Sequence, residues 1–207
     1  MKKGTTVGFM AVFAGVLLAT MTSVYAFHAA QGKGKVSVAP KVSSEFQFVV
    51  ARQLKGSDLK PGLNFVQFEM TRVGDPTSFQ TFMISTAIDF TIPPESADES
   101  DVRTVTITGE MFSTTFPGVG TKRQPFAEFV PFTAVGMDKR TPDADPDFFS
   151  LTVEYSANQA QGPLFESLGV GTCEPIPKSD PPRITCTFEG PVEMGDGKVN
   201  VHTTGGE

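Results

Sequence analysis

Beyond residue 26, no stretch of this chain keeps apolar residues at a 3.6-residue period over three turns. A helix of ordinary length needs that repeat to bury one face. What recurs instead is two-residue alternation in short runs, broken by glycine, proline, aspartate and serine. The 207 residues include 20 Gly and 16 Pro, spread too evenly to leave room for long helices. Because alternation sends successive side chains to opposite faces, each run reads as a half-buried strand.

The run 45–50 places Phe46, Phe48 and Val50 on one face. The run 63–70 alternates again, with a slip from odd to even apolar positions that predicts a bulge. The stretch 78–92 is long enough for one long strand or two. In the run 103–108, Val105 and Ile107 point inward and Thr104, Thr106 and Thr108 outward. Pro131 interrupts 126–135 and predicts an edge or broken strand there, since proline cannot donate to a ladder. Along 147–155, Phe149, Leu151, Val153 and Tyr155 share one face, while Phe148, Ser150, Thr152 and Glu154 share the other. Ile184, Cys186 and Phe188 form a further inward row, and Val199 with Val201 the last. Eight or nine short strands separated by turn residues predict an all-β fold, a single antiparallel β-sandwich. There is no Trp, and 17 of the 19 Phe lie beyond residue 26, enough to fill the space between two sheets.

The N-terminus has a different character. Lys2 and Lys3 precede an uncharged apolar stretch from Val7 to Ala19, and Val24 and Ala26 supply small residues at the −3 and −1 positions of a cleavage site. Residues 1–26 therefore read as a secretion signal. The alternative is a retained anchor, because the charge-free run continues to Ala26. Residues 27–40, with Gly32-Lys33-Gly34-Lys35, read as a short flexible leader, and 41–207 as the β-domain. Removing the signal leaves 181 residues, enough for one domain with a sizeable core. With Lys2 and Lys3 gone, 15 basic residues face 23 acidic ones, a net of −8. That balance opposes nucleic acid or an anionic membrane surface as a partner, and no membrane insertion is expected once the signal is cut. The expected setting is extracytoplasmic: secreted, periplasmic or attached to the cell envelope.

Export changes the meaning of the two cysteines. In an oxidising compartment Cys173 and Cys186 have only one possible pairing, and they bracket a segment with four prolines. A bridge closing such a loop stabilises by about 3 kcal/mol in the chain-entropy model. A redox-active pair is the alternative, although the spacing is far from C-x-x-C.

Catalytic chemistry finds few groups to use. The two histidines are His28, in the expected leader, and His202, at the end of the last strand. No G-x-S-x-G, H-E-x-x-H, phosphate loop or dinucleotide pattern is present. Two facing carboxylates would be the remaining route to a hydrolase, but nothing in the sequence selects a pair. The sharpest local pattern is Asp143, Asp145 and Asp147 at alternate positions, with Glu154 at the twelfth place counted from Asp143. Alternating oxygen ligands with a distal glutamate resemble a calcium loop. Phe148 stands where such a loop turns on glycine, and Pro146 stiffens it. The expectation is therefore either a calcium site at Asp143, Asp145 and Asp147, with Asp138 a further candidate ligand, or an acidic turn feeding a strand.

Two C-terminal segments carry a wider pattern: Asp147-Phe148-Phe149-Ser150-Leu151-Thr152-Val153, and Gly195-Asp196-Gly197-Lys198-Val199-Asn200-Val201-His202. Together they resemble a β-rich module of exported bacterial proteins, in which a "D-x-F-x-I-x-I" strand precedes "G-G-x-I-x-V-H". Upstream, Val105 to Gly109 matches that module's "I-x-G-x-G" strand in part, with Glu110 where a second glycine is expected, and the Cys173–Cys186 loop is not part of the pattern. The resemblance implies an extracellular all-β module with no catalytic residues to carry over. The function expected is a non-catalytic structural or adhesion-like module that binds an extracellular protein or a glycan through surface loops or an exposed strand edge. A calcium- or carbohydrate-binding module is the first alternative, and a carboxylate-dependent hydrolase the second.

Overall fold

A computed structural model describes residues 27–53, 64–73, 78–93, 102–118, 125–139, 146–158, 161–193, 195 and 197–203. The expected signal at 1–26 lies outside the described residues, as do Asp143 and Asp145. Each alternating run does form a strand, and 65–72 pairs with both neighbours in unbroken register, without the bulge expected there. The first half of the chain supplies β1 (Phe27–Lys35), β2 (Val42–Gln53), β3 (Phe65–Arg72), β4 (Phe79–Ser85), β5 (Ile88–Thr91) and β6 (Val102–Pro117). The second half supplies β7 (Phe126–Lys139), β8 (Phe148–Ser156), helix α1 (Gln161–Leu168), β9 (Thr172–Pro175), β10 (Arg183–Pro191) and β11 (Lys198–Thr203).

All eleven strands join one antiparallel sheet in the order β11-β1-β2-β3-β4-β6-β7-β8-β10-β9, with β5 paired to β6. The two-sheet sandwich and its eight or nine strands are thus corrected to a half-barrel of eleven. Each strand has one apolar face, and a twisted sheet can cover that face by curling onto itself. Phenylalanine fills the curl. The rings of Phe46 on β2 and Phe149 on β8 stack with centroids 4.1 Å apart, and Phe68 on β3 lies 5.7 Å from Phe188 on β10. Phe48 needs two glycines. A Cβ on Gly32 of β1 would fall 2.4 Å from its ring, and one on Gly136 of β7 would fall 2.9 Å from it.

Residues 27–40, expected as a flexible leader, begin instead with β1, which is hydrogen-bonded to β2 on one side and β11 on the other. Gly32 and Gly34 belong to this strand because other chain occupies the place of a side chain. At Gly34 a Cβ would meet Val192 at 2.7 Å, and at Gly197 it would meet the Lys33 carbonyl at 2.1 Å. The stretch 78–92 resolves into two strands, β4 and β5. Pro131 is tolerated within 14-residue β7 because β8 pairs with β7 only from Phe132 onward. At Pro131 itself the strand has β6 alone as its neighbour.

Among the described residues no strand pairs with the side of β11 that faces away from β1. The amides on that side are met by carboxylates instead. The Val199 N–H donates to Asp147 Oδ2 at 2.7 Å, and the Val201 N–H to Asp138 Oδ2 at 3.0 Å. Asp147 Oδ1 also accepts from the Lys139 N–H at 2.9 Å, so one carboxylate holds the end of β7 and the edge of β11 together. The other edges are blunted too. At β5 the Phe90 N–H donates to Asp89 Oδ1 at 2.8 Å. Four-residue β9 ends at Pro175 and is tied to β10 by the Cys173–Cys186 disulfide, whose Cα atoms lie 4.1 Å apart in directly opposed positions.

Helix α1 has the signals of a short helix. Pro163 sits in its first turn, where a missing N–H costs nothing. Gly169, at φ 61°, ends it. The Gly169 N–H reaches the Glu166 carbonyl at 3.1 Å and the Val170 N–H the Phe165 carbonyl at 3.0 Å, while Phe165 and Val170 are both buried. This is a Schellman stop with its hydrophobic contact.

If carboxylates close the β11 edge, Asp147→Ala should destabilise by about 3 kcal/mol, because two N–H groups lose a charged acceptor. Asp147→Asn, which keeps one carbonyl oxygen, should lose less. Urea denaturation measures both, and a loss under about 0.5 kcal/mol for the alanine variant would show that water serves those amides equally well.

Candidate functional site

The inward row of β6 changes character along its length. Val105, Ile107 and Met111 are apolar, but the next inward positions are Ser113 and Thr115, and all five are buried. β4 contributes Thr81 and Met83 to the same layer, β8 contributes Tyr155, and α1 contributes Gln161. The result is a polar layer where the helix lies against the half-barrel. Ser113 Oγ donates to Gln161 Oε1 at 2.6 Å, and Gln161 Nε2 returns a bond to the Ser113 carbonyl at 3.2 Å. Tyr155 Oη lies 3.3 Å from Ser113 Oγ and 3.7 Å from Met83 Sδ. The Thr81 and Thr115 hydroxyls pair at 2.9 Å. Buried polar groups satisfied by one another fix the seating of α1, which is a structural task.

Glu128 is the exception in this layer. It stands opposite Ser113 across the β6–β7 ladder and is half-buried, yet among the described residues its Oε1 has no hydrogen-bond partner. Burial pushes its carboxyl above the usual range, opposed by the Ser156 backbone and the Arg183 guanidinium. The Tyr155 hydroxyl is also pushed up and stays neutral. Burial is the main cause, the Ser113 hydroxyl opposes it, and the Glu128 charge adds to it. Ser113 Oγ is bonded to the Gln161 amide oxygen and lies beside the Tyr155 hydroxyl, neither of which is a base that would activate it as a nucleophile. The two histidines lie elsewhere, on β1 and β11, and His202 is exposed.

The acidic turn divides. Asp143 and Asp145 lie outside the described residues, whereas Asp147 gives both carboxylate oxygens to backbone amides. Asp138 is committed to the Val201 N–H in the same way. Glu154 forms an ion pair with Arg183 at 3.0 Å. Among the described residues no group of three or more His, Cys, Asp or Glu side chains converges as a metal site needs. The two halves of the C-terminal pattern meet at the Asp147–Val199 hydrogen bond, so in this chain that pattern contributes to closing the sheet.

On the outer face, Ile84 on β4 stands opposite Phe112 on β6, which stands opposite Phe129 on β7. The three are 45 %, 37 % and 72 % exposed, and Phe116, on the same face of β6, is 43 % exposed. The Phe112 and Phe129 rings are in contact, 5.3 Å apart and tilted by 57°. Single exposed apolar residues are ordinary, but a row running across three strands is not. The sequence held the signal. Carrying the Val105–Ile107 register forward through Met111 puts Phe112 and Phe116 on the threonine side, facing out. Elsewhere on the outer face, Lys33, Lys35, Glu45 and Glu69 border a shallow open depression of about 280 Å³ over β1–β3. There Lys35 stands opposite Glu45, and the depression carries charge of both signs.

Among the described residues, fold and site together define a disulfide-stapled antiparallel half-barrel with a phenylalanine-rich core and an apolar row on its outer face. Compared with known proteins, the chain matches no family model, no curated protein and no solved structure.

For Glu128 the sign of the pH dependence follows from its raised pKa. Both folded and unfolded chains carry the proton at low pH. As pH rises the unfolded chain ionises first, so stability falls until the folded carboxyl has also titrated. Glu128→Gln removes that loss. We expect its melting temperature to exceed wild type by more near about pH 7 than near about pH 3. A difference that is constant, or larger in acid, would contradict the burial of this carboxyl.

Proposed function

We propose that this protein is an exported, non-catalytic binding module that docks another protein of the extracytoplasmic space on the outer face of its half-barrel. The observation that carries this reading is the exposed row Ile84–Phe112–Phe129, with Phe116 beside it. A filled core supports a surface role over a lumenal one. The blunted edges at β5, β9 and β11 favour the face of the sheet over strand addition at an edge. The disulfide accords with an oxidising compartment, and among the described residues no helix is long and apolar enough to cross a membrane. The apolar stretch at Val7 to Ala19 supports export.

A protein suits this face better than a glycan. Sugar rings stack on flat, coplanar aromatic platforms, while Phe112 and Phe129 are tilted by 57° and are flanked by branched Ile84. Such a ridged surface accepts apolar side chains between its rings, as interface anchors do.

The double variant Phe112→Ser, Phe129→Ser tests the reading. Proteins cross-linked to wild type in the envelope fraction are purified and titrated against both forms. We expect a loss of affinity of about ten-fold or more in the double variant. The variant should stay folded, since substitutions at exposed positions usually change stability by about 0.5 kcal/mol or less. Equal affinity of the two forms would overturn the reading.

A further inference from the structure

We propose that the loop between β9 and β10 docks a serine protease of basic specificity, with Lys178 entering the protease's acidic specificity pocket and the Lys178–Ser179 bond lying across its active site. The site is separate from the apolar row on the outer face. Lys178 is exposed near the tip of the loop, among Pro175, Pro177, Pro181 and Pro182, each of which fixes its own φ.

The loop is tied at several levels. At its base Cys173 and Cys186 stand opposite one another and are joined by the disulfide. Above them the Ile176 N–H donates to the Arg183 carbonyl at 2.9 Å. Inside the loop, Ser179 Oγ donates to the Ile176 carbonyl at 3.0 Å and accepts from the Arg183 N–H at 2.9 Å. From outside, the Ala157 N–H donates to the Pro182 carbonyl at 2.9 Å, and Arg183 pairs with Glu154 of β8. A loop held in this way loses little conformational freedom when a partner grips it, so more of the contact energy appears as affinity.

Lys178 itself has φ 60°. Pro177 precedes it, and the Ser179 N–H reaches back to the Ile176 carbonyl at 3.4 Å. Lys178 thus occupies the position of a type II turn where glycine is the unstrained choice. A long charged side chain kept in a strained backbone state points to a use for that side chain. Its ammonium matches a pocket floored by a carboxylate, the device by which trypsin selects its substrates. Docking needs extended backbone at Lys178. That move gives up the 3.4 Å bond, the longest of those in the loop, and releases the left-handed strain.

Once the loop is docked, the protease serine attacks the Lys178 carbonyl and the Ser179 amine leaves, giving an acyl-enzyme. In an ordinary substrate that amine diffuses away and water completes the hydrolysis. Here the disulfide and the Ile176–Arg183 bond keep Ser179 close to the ester. Its amine attacks the Lys178 carbonyl again, reforms the amide and returns the serine. Return outpaces water because the tethered amine is present at high effective concentration. The loop occupies the protease without being consumed, and the protein acts as a protease inhibitor.

Trypsin is the probe that tests this. Calorimetric titration of the disulfide-bonded protein into trypsin whose catalytic serine is replaced by alanine reads docking without cleavage. We expect Lys178→Ala to weaken binding by about 100-fold or more, and Lys178→Arg to keep it within about five-fold. With active trypsin, the wild-type protein should compete with a chromogenic substrate. Mass spectrometry of the unreduced protein should then find the Lys178–Ser179 bond cut only in part, with both ends still joined by the disulfide. Failure of the wild-type protein to bind inactive trypsin would overturn the inference, as would equal binding by Lys178→Ala. Complete cleavage of the bond with recovery of trypsin activity would overturn it too.

Discussion

The Asp147 carboxylate is the contact on which the closure of this fold depends. An antiparallel sheet that curls without sealing leaves an edge, and an unpaired edge is both an energetic loss and a template for aggregation. Here that edge is β11, and its free amides are answered by side chains. Asp147 takes the Val199 N–H with one oxygen and the Lys139 N–H with the other, and Asp138 takes the Val201 N–H. A carboxylate accepting backbone amides forms charge-assisted bonds, stronger than the neutral ladder bonds they replace. The first and last strands are thereby joined to the centre of the sheet, since β1 is held by β11 and β11 by residues of β7 and of the turn before β8.

That arrangement accounts for the shape of the interior. Drawing β11 against β7 leaves a space narrow enough for a single aromatic ring, and Phe48 fills it between Gly32 and Gly136. The stacked phenylalanines behind it and the polar layer under α1 occupy the rest. On the outer face, Ile84, Phe112 and Phe129 remain exposed and lie in register across three strands.

Strand positions and their inward residues were legible in the sequence, because alternation reports which face a residue occupies. Phe149, Leu151, Val153 and Tyr155 are all fully buried, as their spacing implies. Alternation does not report what lies opposite the buried face, so two stacked sheets and one curled sheet give the same pattern. The strand at 27–35 was hidden because Gly32 and Gly34 look like loop residues until the neighbours that need their space are known. Helix α1 was too short to show a period, although Pro163 and Gly169 marked its ends. Asp147 was legible as an important acid, but its partner Val199 is distant in sequence and nothing local distinguishes an amide acceptor from a calcium ligand. The outer row was readable from the register of β6, yet its joining to Ile84 and Phe129 needs the strand order.

Amide hydrogen exchange along β11 tests the closure most directly. The Val199 and Val201 amides face away from β1, toward the carboxylates, and Asn200 lies between them in the β1–β11 ladder. If Asp147 and Asp138 seal the edge, all three amides should exchange slowly and at similar rates. Fast exchange at Val199 and Val201 beside a protected Asn200 would mean that the edge is open to water, and the account of how this sheet closes would be wrong.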